Sequence, residues 1–217
     1  MRRGFIAAMI AATAVLAPAA TASAVEPILF VHGWSSSGSV WTTMIGRFQA
    51  DGWTAAQLNN WSYNTAQSNV TTASQVNTKV DQIRAATGSA KVDIISHSMG
   101  GLNTRYYLKN LGGAAEVDDW VSLGGPNHGT TTANVCFWNT SCIEMRPNST
   151  FLNALNATDE TPGTVNYGTW WSPCDEIINP DSSVALSGAT NTQTACMGHS
   201  ALYGDAGVYA QVREFVR

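Results

Sequence analysis

Short apolar runs alternate with longer amphipathic segments through most of the chain, and this alternation is the main structural signal in the sequence. The apolar runs are rich in β-branched and aromatic residues, which is typical of buried strands. The longer segments repeat apolar residues every three or four positions, which is typical of helices that bury one face. Strands that alternate with such helices predict an α/β fold, with a central, mostly parallel sheet and helices on both faces.

The bounds of these elements follow from the same pattern. The apolar runs predict strands at 27–31, 92–95, 117–123 and 165–171, with weaker candidates at 53–58 and 184–189. The amphipathic segments predict helices at 40–50, from the capping residue Asn69 to Ile83, at 99–110, and from the capping residue Asp205 to Val216. Residues 127–163 interrupt the rhythm, because they are polar and contain only one short helical pattern, around Phe151 to Leu155.

The first 24 residues have the composition of a targeting segment. Arg2 and Arg3 give a basic start, residues 5–16 form a short apolar core, and Ala22-Ser23-Ala24 closes the segment with small residues. This pattern predicts a secretory signal peptide at 1–24 and a secreted protein. The apolar core is too short and too rich in alanine for an integral membrane anchor. Residues 25–217 are then expected to form a single domain, long enough to bury a sizeable core.

Charge and cysteine content narrow the function classes. The formal net charge is −4, and it becomes −6 when Arg2 and Arg3 are removed with residues 1–24. This acidic balance argues against nucleic acid as a partner and provides no basic patch for anionic lipid. All four cysteines lie late in the chain, and in an exported protein this even number predicts two disulfides. They contain no C-x-x-C pair, which argues against a zinc site.

The candidate chemistry centres on Ser98. The apolar run 92–95 is followed by the small residues Ser96 and Gly100 on either side of Ser98, and a helical pattern begins at once. This arrangement predicts a sharp turn from a buried strand into a helix, with the serine hydroxyl exposed at the turn. The alternative is that Ser98 only caps the helix that follows.

A serine hydroxyl is a weak nucleophile at neutral pH, so it needs a base and a group that orients the base. His199 is the candidate base, because it lies in a loop between the last predicted strand and the closing helix. Asp175 follows the strand that ends at Trp171 and is the candidate acid, although the adjacent Glu176 remains an alternative. Asp118 and Asp119 come at the start of a strand, which is the wrong edge of the sheet.

Two backbone amides are candidates for an oxyanion hole. The residue after the nucleophile, Met99, opens a helix, and its N–H is one expected donor. The other is expected in the loop after the first strand, where Trp34 follows His32-Gly33. Trp34, Met99 and the Trp170-Trp171 pair are also candidates for apolar walls of a cleft, although tryptophans are equally common in an ordinary core.

The residues Phe30-Val31-His32-Gly33-Trp34 and Ser96-His97-Ser98-Met99-Gly100-Gly101 together resemble the small secreted bacterial lipases of the α/β-hydrolase superfamily. The resemblance is greatest to the minimal class typified by the Bacillus subtilis lipase, and the two cysteine pairs are similar to an actinobacterial branch. It extends to Asp175 and Gly198-His199. Ser96 stands where the motif G-x-S-x-G has its first glycine. Residues 127–163 are least alike.

Such lipases cleave carboxylic esters, often acylglycerols, without a metal or organic cofactor. The resemblance therefore implies an ester or lipid substrate, with Ser98 as nucleophile, His199 as base and Asp175 as orienting acid. It also implies that the Trp34 and Met99 amides form the oxyanion hole. A turn containing His128 resembles a Gly-x-Pro-His-x-Gly-Ser turn of larger lipases, but its histidine is displaced by one place, so no role is carried over to it.

Several alternatives stay open at this point. The same residues would serve polyester hydrolysis or acyl transfer, and an inactive hydrolase fold would bind lipid or a partner. The complete set of Ser98, Asp175 and His199 argues against the inactive fold. We expect a monomer. We also expect no bound metal, because Asp175, Glu176 and Asp181 form only a loose acidic group.

The disulfide pairing is expected to be Cys136 with Cys142 and Cys174 with Cys196. Cys136 and Cys142 bracket a short polar turn that closes easily. Cys174 directly precedes the candidate acid, and Cys196 lies three residues before the candidate base. If the acid and base form a hydrogen bond, these cysteines fall within bridging distance.

Overall fold

A computed structural model describes Met1 and residues 25–217, so the predicted signal peptide lies outside the described residues except for Met1. The strands are β1 Ile28–Val31, β2 Leu58–Asn60, β3 Val92–His97, β4 Val117–Leu123, β5 Asn166–Trp171 and β6 Thr190–Gln193. They form one six-stranded sheet in the order β2-β1-β3-β4-β5-β6. Every neighbouring pair is parallel, which confirms the predicted class of sheet.

Helices cover both faces of this sheet, as predicted. They are α1 Thr42–Ala50, α2 Asn69–Thr87, α3 Gly100–Asn110, α4 Thr140–Glu144, α5 Thr150–Asn156 and α6 Ala206–Phe215. The side chains of β1 alternate between the two faces. Ile28 and Phe30 pack with α1 and α6, whereas Leu29 and Val31 pack with α2 and α3. β1 and β3 are buried along their whole length, which accounts for the apolar residues on both faces of these strands.

Both outermost strands differ from the predicted segments. The predicted strand 53–58 is instead a 3₁₀ turn at 55–57, closed by a capping box between Thr54 and Gln57, and β2 begins only at Leu58. The predicted strand 184–189 contains the end of a 3₁₀ helix and a turn, and β6 begins at Thr190. Val184 and Leu186 are buried, but their backbone is not part of the sheet. The apolar pattern at 184–189 therefore reflects the burial of these side chains and not a strand.

Two further details around α2 and residues 127–163 were not predicted. Ser68, and not Asn69, caps α2, because the Ser68 Oγ accepts a hydrogen bond from the Val70 N–H at 3.1 Å. The short helix α5 confirms the pattern around Phe151 to Leu155, whereas α4 had no clear signal. Both helices pack over the start of α3 and cover Met99 and Leu102.

No helix among residues 25–217 is long and apolar enough to cross a membrane.

Candidate active site

Ser98 lies on a sharp turn between β3 and α3. Its φ angle is +55°, a left-handed conformation that is uncommon for serine and typical of a tight strand-to-helix turn. Glycines at positions 33 and 100 let neighbouring backbone segments approach the turn closely. A Cβ at Gly33 would lie 2.7 Å from the Ser98 Cβ, and a Cβ at Gly100 would lie 2.5 Å from the Val31 oxygen. The Ser98 N–H donates to the Leu123 carbonyl at 2.9 Å, which fixes the turn to β4.

Asp175 contacts the ring of His199. The Asp175 Oδ2 lies 2.7 Å from the His199 Nδ1, and both side chains are almost completely buried. Burial opposes ionisation of Asp175, but the hydrogen bonds from His199 and from the amides of Ile178 and Ile177 outweigh it and lower its pKa. Asp175 is therefore an acceptor at neutral pH, so Nδ1 of a neutral His199 carries the proton and Nε2 has a free lone pair.

The backbone of His199 is held on both sides. The His199 N–H donates to the Glu176 Oε2 at 2.9 Å, so Glu176 contacts the main chain of His199 while Asp175 contacts its ring. The His97 Nε2 lies 3.1 Å from the His199 carbonyl oxygen. Burial, and next the proximity of His199, lower the pKa of His97 to about 3, so His97 is neutral at pH 7 and donates through Nε2.

A disulfide and a serine join the loops that carry Asp175 and His199. Cys174 is bonded to Cys196, as expected from the sequence, and their Cα atoms are 5.0 Å apart. The buried Ser172 Oγ donates to the Met197 carbonyl at 2.6 Å and accepts from the Met197 N–H at 2.9 Å. The two loops are thus cross-linked both covalently and by hydrogen bonds.

Trp34 and Met99 lie on loops that a partly buried tyrosine, Tyr63, connects. The Tyr63 hydroxyl donates to the His32 carbonyl at 2.5 Å, and the Tyr63 ring stacks on the His32 ring at 4.2 Å. The Asn103 Nδ2 donates to the Tyr63 oxygen and to the Met99 carbonyl, both at 3.3 Å. Among the described residues, neither the Trp34 N–H nor the Met99 N–H donates to an acceptor.

Ser98 and His199 meet at a cavity of about 460 Å³. Trp34 also lines this cavity, whereas Met99 is buried beside it. Within the described structure Ser98 makes no hydrogen bond to His199; such contacts are often long before substrate binds. Trp170 does not line the cavity, because it packs in the core and its Nε1 donates to Gln211 at 2.9 Å.

Other candidate groups lie outside the cavity. The His128 Nε2 contacts the Glu160 Oε1 at 2.7 Å, and His128 does not line the cavity. The second disulfide joins Cys136 and Cys142, again as expected, and both line the cavity. The described residues hold no group of three or more His, Cys, Asp or Glu side chains arranged to bind a metal ion.

Sequence reasoning did not find the contributions of Tyr63 and Asn103. Tyr63 lies in an irregular segment and contacts a residue 31 positions away, so no local pattern marks it. The sequence marks Glu176 only as an alternative acid, because its contact with the His199 N–H joins residues 23 positions apart. The contact of His97 with the His199 carbonyl joins residues 102 positions apart, so no local pattern marks it either.

A parallel sheet covered on both faces, with a serine on a sharp turn after a central strand, is the architecture of the α/β-hydrolases. A family model described as Lipase (class 2) matches residues 25–204, and the chain belongs to that family of carboxylic ester hydrolases.

Solved structures of lipases share the fold. The mature form of Bacillus licheniformis lipase BlEst2 aligns with a TM-score of 0.77 at 19% identity, over 89% of this chain and 93% of that chain. Aspergillus fumigatus lipase B aligns with a TM-score of 0.72 at 21% identity, over 86% of this chain and 51% of that chain. At these identities, the likeness concerns the fold alone.

Proposed function

We propose that the protein is a secreted, monomeric serine esterase or lipase that hydrolyses acylglycerols through an acyl-enzyme. Ser98 is the nucleophile, His199 the general base and acid, and Asp175 the group that orients His199. Residues 25–217 form the active domain after removal of the signal peptide 1–24. The two disulfides and the family both support export to an oxidising compartment.

The proposed reaction has two halves. The His199 Nε2 takes the proton of the Ser98 hydroxyl while Oγ attacks the ester carbonyl carbon, and the tetrahedral intermediate then expels the alcohol, which receives that proton. Water next attacks the acyl-Ser98 ester with His199 again as base. The carboxylic acid leaves, and the proton returns to Ser98.

The Trp34 and Met99 N–H groups are the proposed oxyanion donors. They are not used by acceptors of the described chain, and α3 begins directly after Met99, so its N-terminal dipole favours negative charge there. Each donor is expected to contribute about 3 kcal/mol to stabilisation of the transition state. The two loops that carry them are connected through Tyr63, which supports a fixed spacing between the donors.

The observation that carries the proposal is the contact of 2.7 Å between Asp175 and His199 at the cavity that Ser98 lines. This contact directs the free Nε2 of His199 away from the acid. A catalytically inactive fold would have no need for a buried carboxylate aligned with a buried imidazole beside a strained serine.

The test is covalent labelling together with one substitution. A fluorophosphonate should label the wild-type protein at Ser98, and Ser98→Ala should lose both the label and about 10⁶-fold in kcat on p-nitrophenyl esters. The melting temperature should be little changed, because Ser98 makes no side-chain hydrogen bond within the described structure. Folded Ser98→Ala protein with more than about one per cent of wild-type activity would show that the nucleophile is misassigned.

A further inference from the structure

One end of the candidate active-site cavity is closed by buried side chains. The mouth of the cavity is lined by exposed residues, which are Trp34, Val135 and Ile177. Four further lining residues have at most 6% of their surface exposed, and we call them the inner wall: Ala133, Cys136, Cys142 and Met145. A chain that enters the cavity at its mouth therefore ends at the inner wall.

The inner wall is apolar and uncharged. Cys136 and Cys142 contribute their disulfide to it, and Met145 contributes a third sulfur atom. No residue that lines the cavity is Asp, Glu, Lys or Arg. Thr130 also lines the cavity, but its hydroxyl donates to the Ile177 carbonyl at 2.6 Å and accepts from the Asn179 N–H at 3.1 Å. This end of the cavity is therefore complementary to an uncharged hydrocarbon chain.

The proposed reaction determines which part of an ester reaches the inner wall. The alcohol oxygen receives its proton from His199, so the alcohol must lie on the side of His199. His199 and Tyr203 both pack on His97, with ring centroids 4.5 Å and 4.8 Å away. The inner wall belongs to a different cluster, which contains Met99. The acyl chain points away from the alcohol, and hence from His199 towards the inner wall.

The backbone of the inner wall is held in place. The Thr130 N–H donates to the Met145 carbonyl at 2.9 Å. The Arg146 side chain donates to the Ala133 carbonyl at 3.3 Å and to the Cys136 carbonyl at 2.8 Å. A closely packed wall gives way to extra methylene groups only at a cost in free energy. A chain that is too long for the cavity is therefore excluded sterically.

We propose that the inner wall, closed by the disulfide between Cys136 and Cys142, determines the longest straight acyl chain that Ser98 accepts. This inference rests on the proposed ester hydrolysis and adds a group that sets its substrate specificity. A shorter chain ends before the disulfide and leaves its ester carbonyl at Ser98. A longer chain meets the sulfur atoms first, and its carbonyl carbon is held away from the Ser98 Oγ.

The test is the dependence of kcat/KM on acyl chain length. Straight-chain p-nitrophenyl esters from butanoate to decanoate are dispersed in one non-ionic detergent, and the wild-type protein should prefer butanoate to decanoate. Cys136→Ala/Cys142→Ala removes both sulfur atoms from the wall. It should raise the ratio of kcat/KM for decanoate to that for butanoate about tenfold, which is typical of the space of a methylene group in an apolar pocket.

Two variants that keep the disulfide separate the space at the wall from loosening of the loop. Met145→Ala widens the same wall and should also raise the ratio. Ala133→Leu fills the space and should lower the ratio about tenfold. The matched control is Cys174→Ala/Cys196→Ala, because this disulfide does not line the cavity. The control should lower kcat/KM for both esters and leave their ratio unchanged.

The melting temperature of each variant verifies that it is folded. A folded Cys136→Ala/Cys142→Ala protein with the wild-type ratio would overturn the inference. If that variant does not fold, Met145→Ala and Ala133→Leu decide, because opposite shifts of the ratio support the inner wall and unchanged ratios refute it. Either refutation leaves ester hydrolysis untouched, since the same wild-type protein is assayed for turnover and fluorophosphonate labelling. Wild-type protein with neither turnover nor label would instead refute the proposed hydrolysis itself.

Discussion

The two disulfide-bonded regions of the molecule have opposite designs. At the first, which we call the acid–base loops (172–176 and 194–199), Cys174 and Cys196 are exposed, but the residues they flank are buried and hydrogen-bonded. At the second, which we call the rim loop (136–142), the cysteines are buried and the residues between them are exposed. One disulfide holds a buried pair together, and the other holds a surface outward.

The contacts of each region show which of its groups are held in place. His199 is contacted on its ring by Asp175, on its N–H by Glu176 and on its carbonyl by His97, so almost every polar group of this residue has a partner. The proposed proton transfer through His199 requires that its ring is held in place within a fraction of an ångström. In the rim loop, the disulfide and the hydrogen bond from Arg146 to the Cys136 carbonyl fix the base, and Phe137 and Trp138 between the cysteines are exposed.

The largest effect is expected within the acid–base loops. Asp175→Asn would favour the wrong tautomer of His199 and should lower kcat on a soluble ester by about 10⁴-fold. Glu176→Gln keeps an oxygen that accepts from the His199 N–H, so its effect should stay below about tenfold. Steady-state kinetics at pH 8 compares the two variants, and a greater loss in Glu176→Gln would reassign the acid.

Removing each disulfide tests the comparison directly. Cys174→Ala/Cys196→Ala opens a link across 22 residues and should cost about 3 kcal/mol of stability, and Cys136→Ala/Cys142→Ala, across 6 residues, about 2 kcal/mol. The first variant should show the larger fall in kcat on a soluble ester, because its disulfide joins the loops that carry Asp175 and His199. Thermal unfolding and steady-state kinetics measure the two quantities; equal effects of both variants on kcat would contradict the distinction.

The sequence predicted the centre of this molecule better than its edges. Strands β1 and β3 are buried along their whole length, and β4 is buried from Trp120 onward, so their apolar residues identify them. Ser98 could be located from the turn that follows β3. The edge strand β6 is polar and exposed, so composition gave no signal for it.

Contacts between distant segments were also beyond the reach of local patterns. Tyr63 and Glu176 could not be assigned from sequence, because their partners lie 31 and 23 residues away. The disulfide pairing could be predicted, since two of the cysteines flank residues whose chemistry requires them to meet. Local sequence patterns thus predicted which residues the acid–base loops contain. The contacts of Tyr63 and Glu176 with the site depend on the tertiary fold and could not be predicted.

A smaller effect is expected from Tyr63, which lies in a segment that contacts both sides of the site. Tyr63 reaches His32, and two residues later the Thr65 carbonyl accepts from Ser141 of the rim loop. Tyr63→Phe removes the donor to the His32 carbonyl and should lower kcat about tenfold with little change in KM, because spacing of the oxyanion donors matters in the transition state.

The control for Tyr63→Phe is Ser141→Ala, which removes the contact of the same segment with the rim loop. Ser141→Ala should lower kcat on a soluble ester less than Tyr63→Phe does, because Ser141 contacts Thr65 and not the His32 loop. A purely structural role of Tyr63 would lower the melting temperature and leave kcat unchanged, and this outcome would remove Tyr63 from the proposed positioning residues.

The smallest effect concerns pH and again separates the two regions. Burial lowers the pKa of His97 to about 3, below its ordinary value of 6.5. The unfolded chain therefore takes up a proton below about pH 6.5 that the folded protein does not bind, so stability is present above pH 6.5 and lost as pH falls towards 3. The rim loop lies within residues 129–143, which contain no titratable side chain other than the disulfide-bonded cysteines.

Urea unfolding of His97→Asn beside wild type between pH 6 and pH 4 isolates this contribution. The wild-type protein should lose up to about 1.4 kcal/mol per pH unit more than the variant, which has no imidazole at this position. Burial raises the pKa of Asp93 and Asp119, which acts in the opposite direction, but both residues are present in both proteins and cancel in the difference. The stability difference between wild type and Phe137→Ser/Trp138→Ser should not change with pH. A His97→Asn difference that is equally flat would mean that His97 does not remain neutral in the fold, and the hydrogen bond to the His199 carbonyl would then need another explanation.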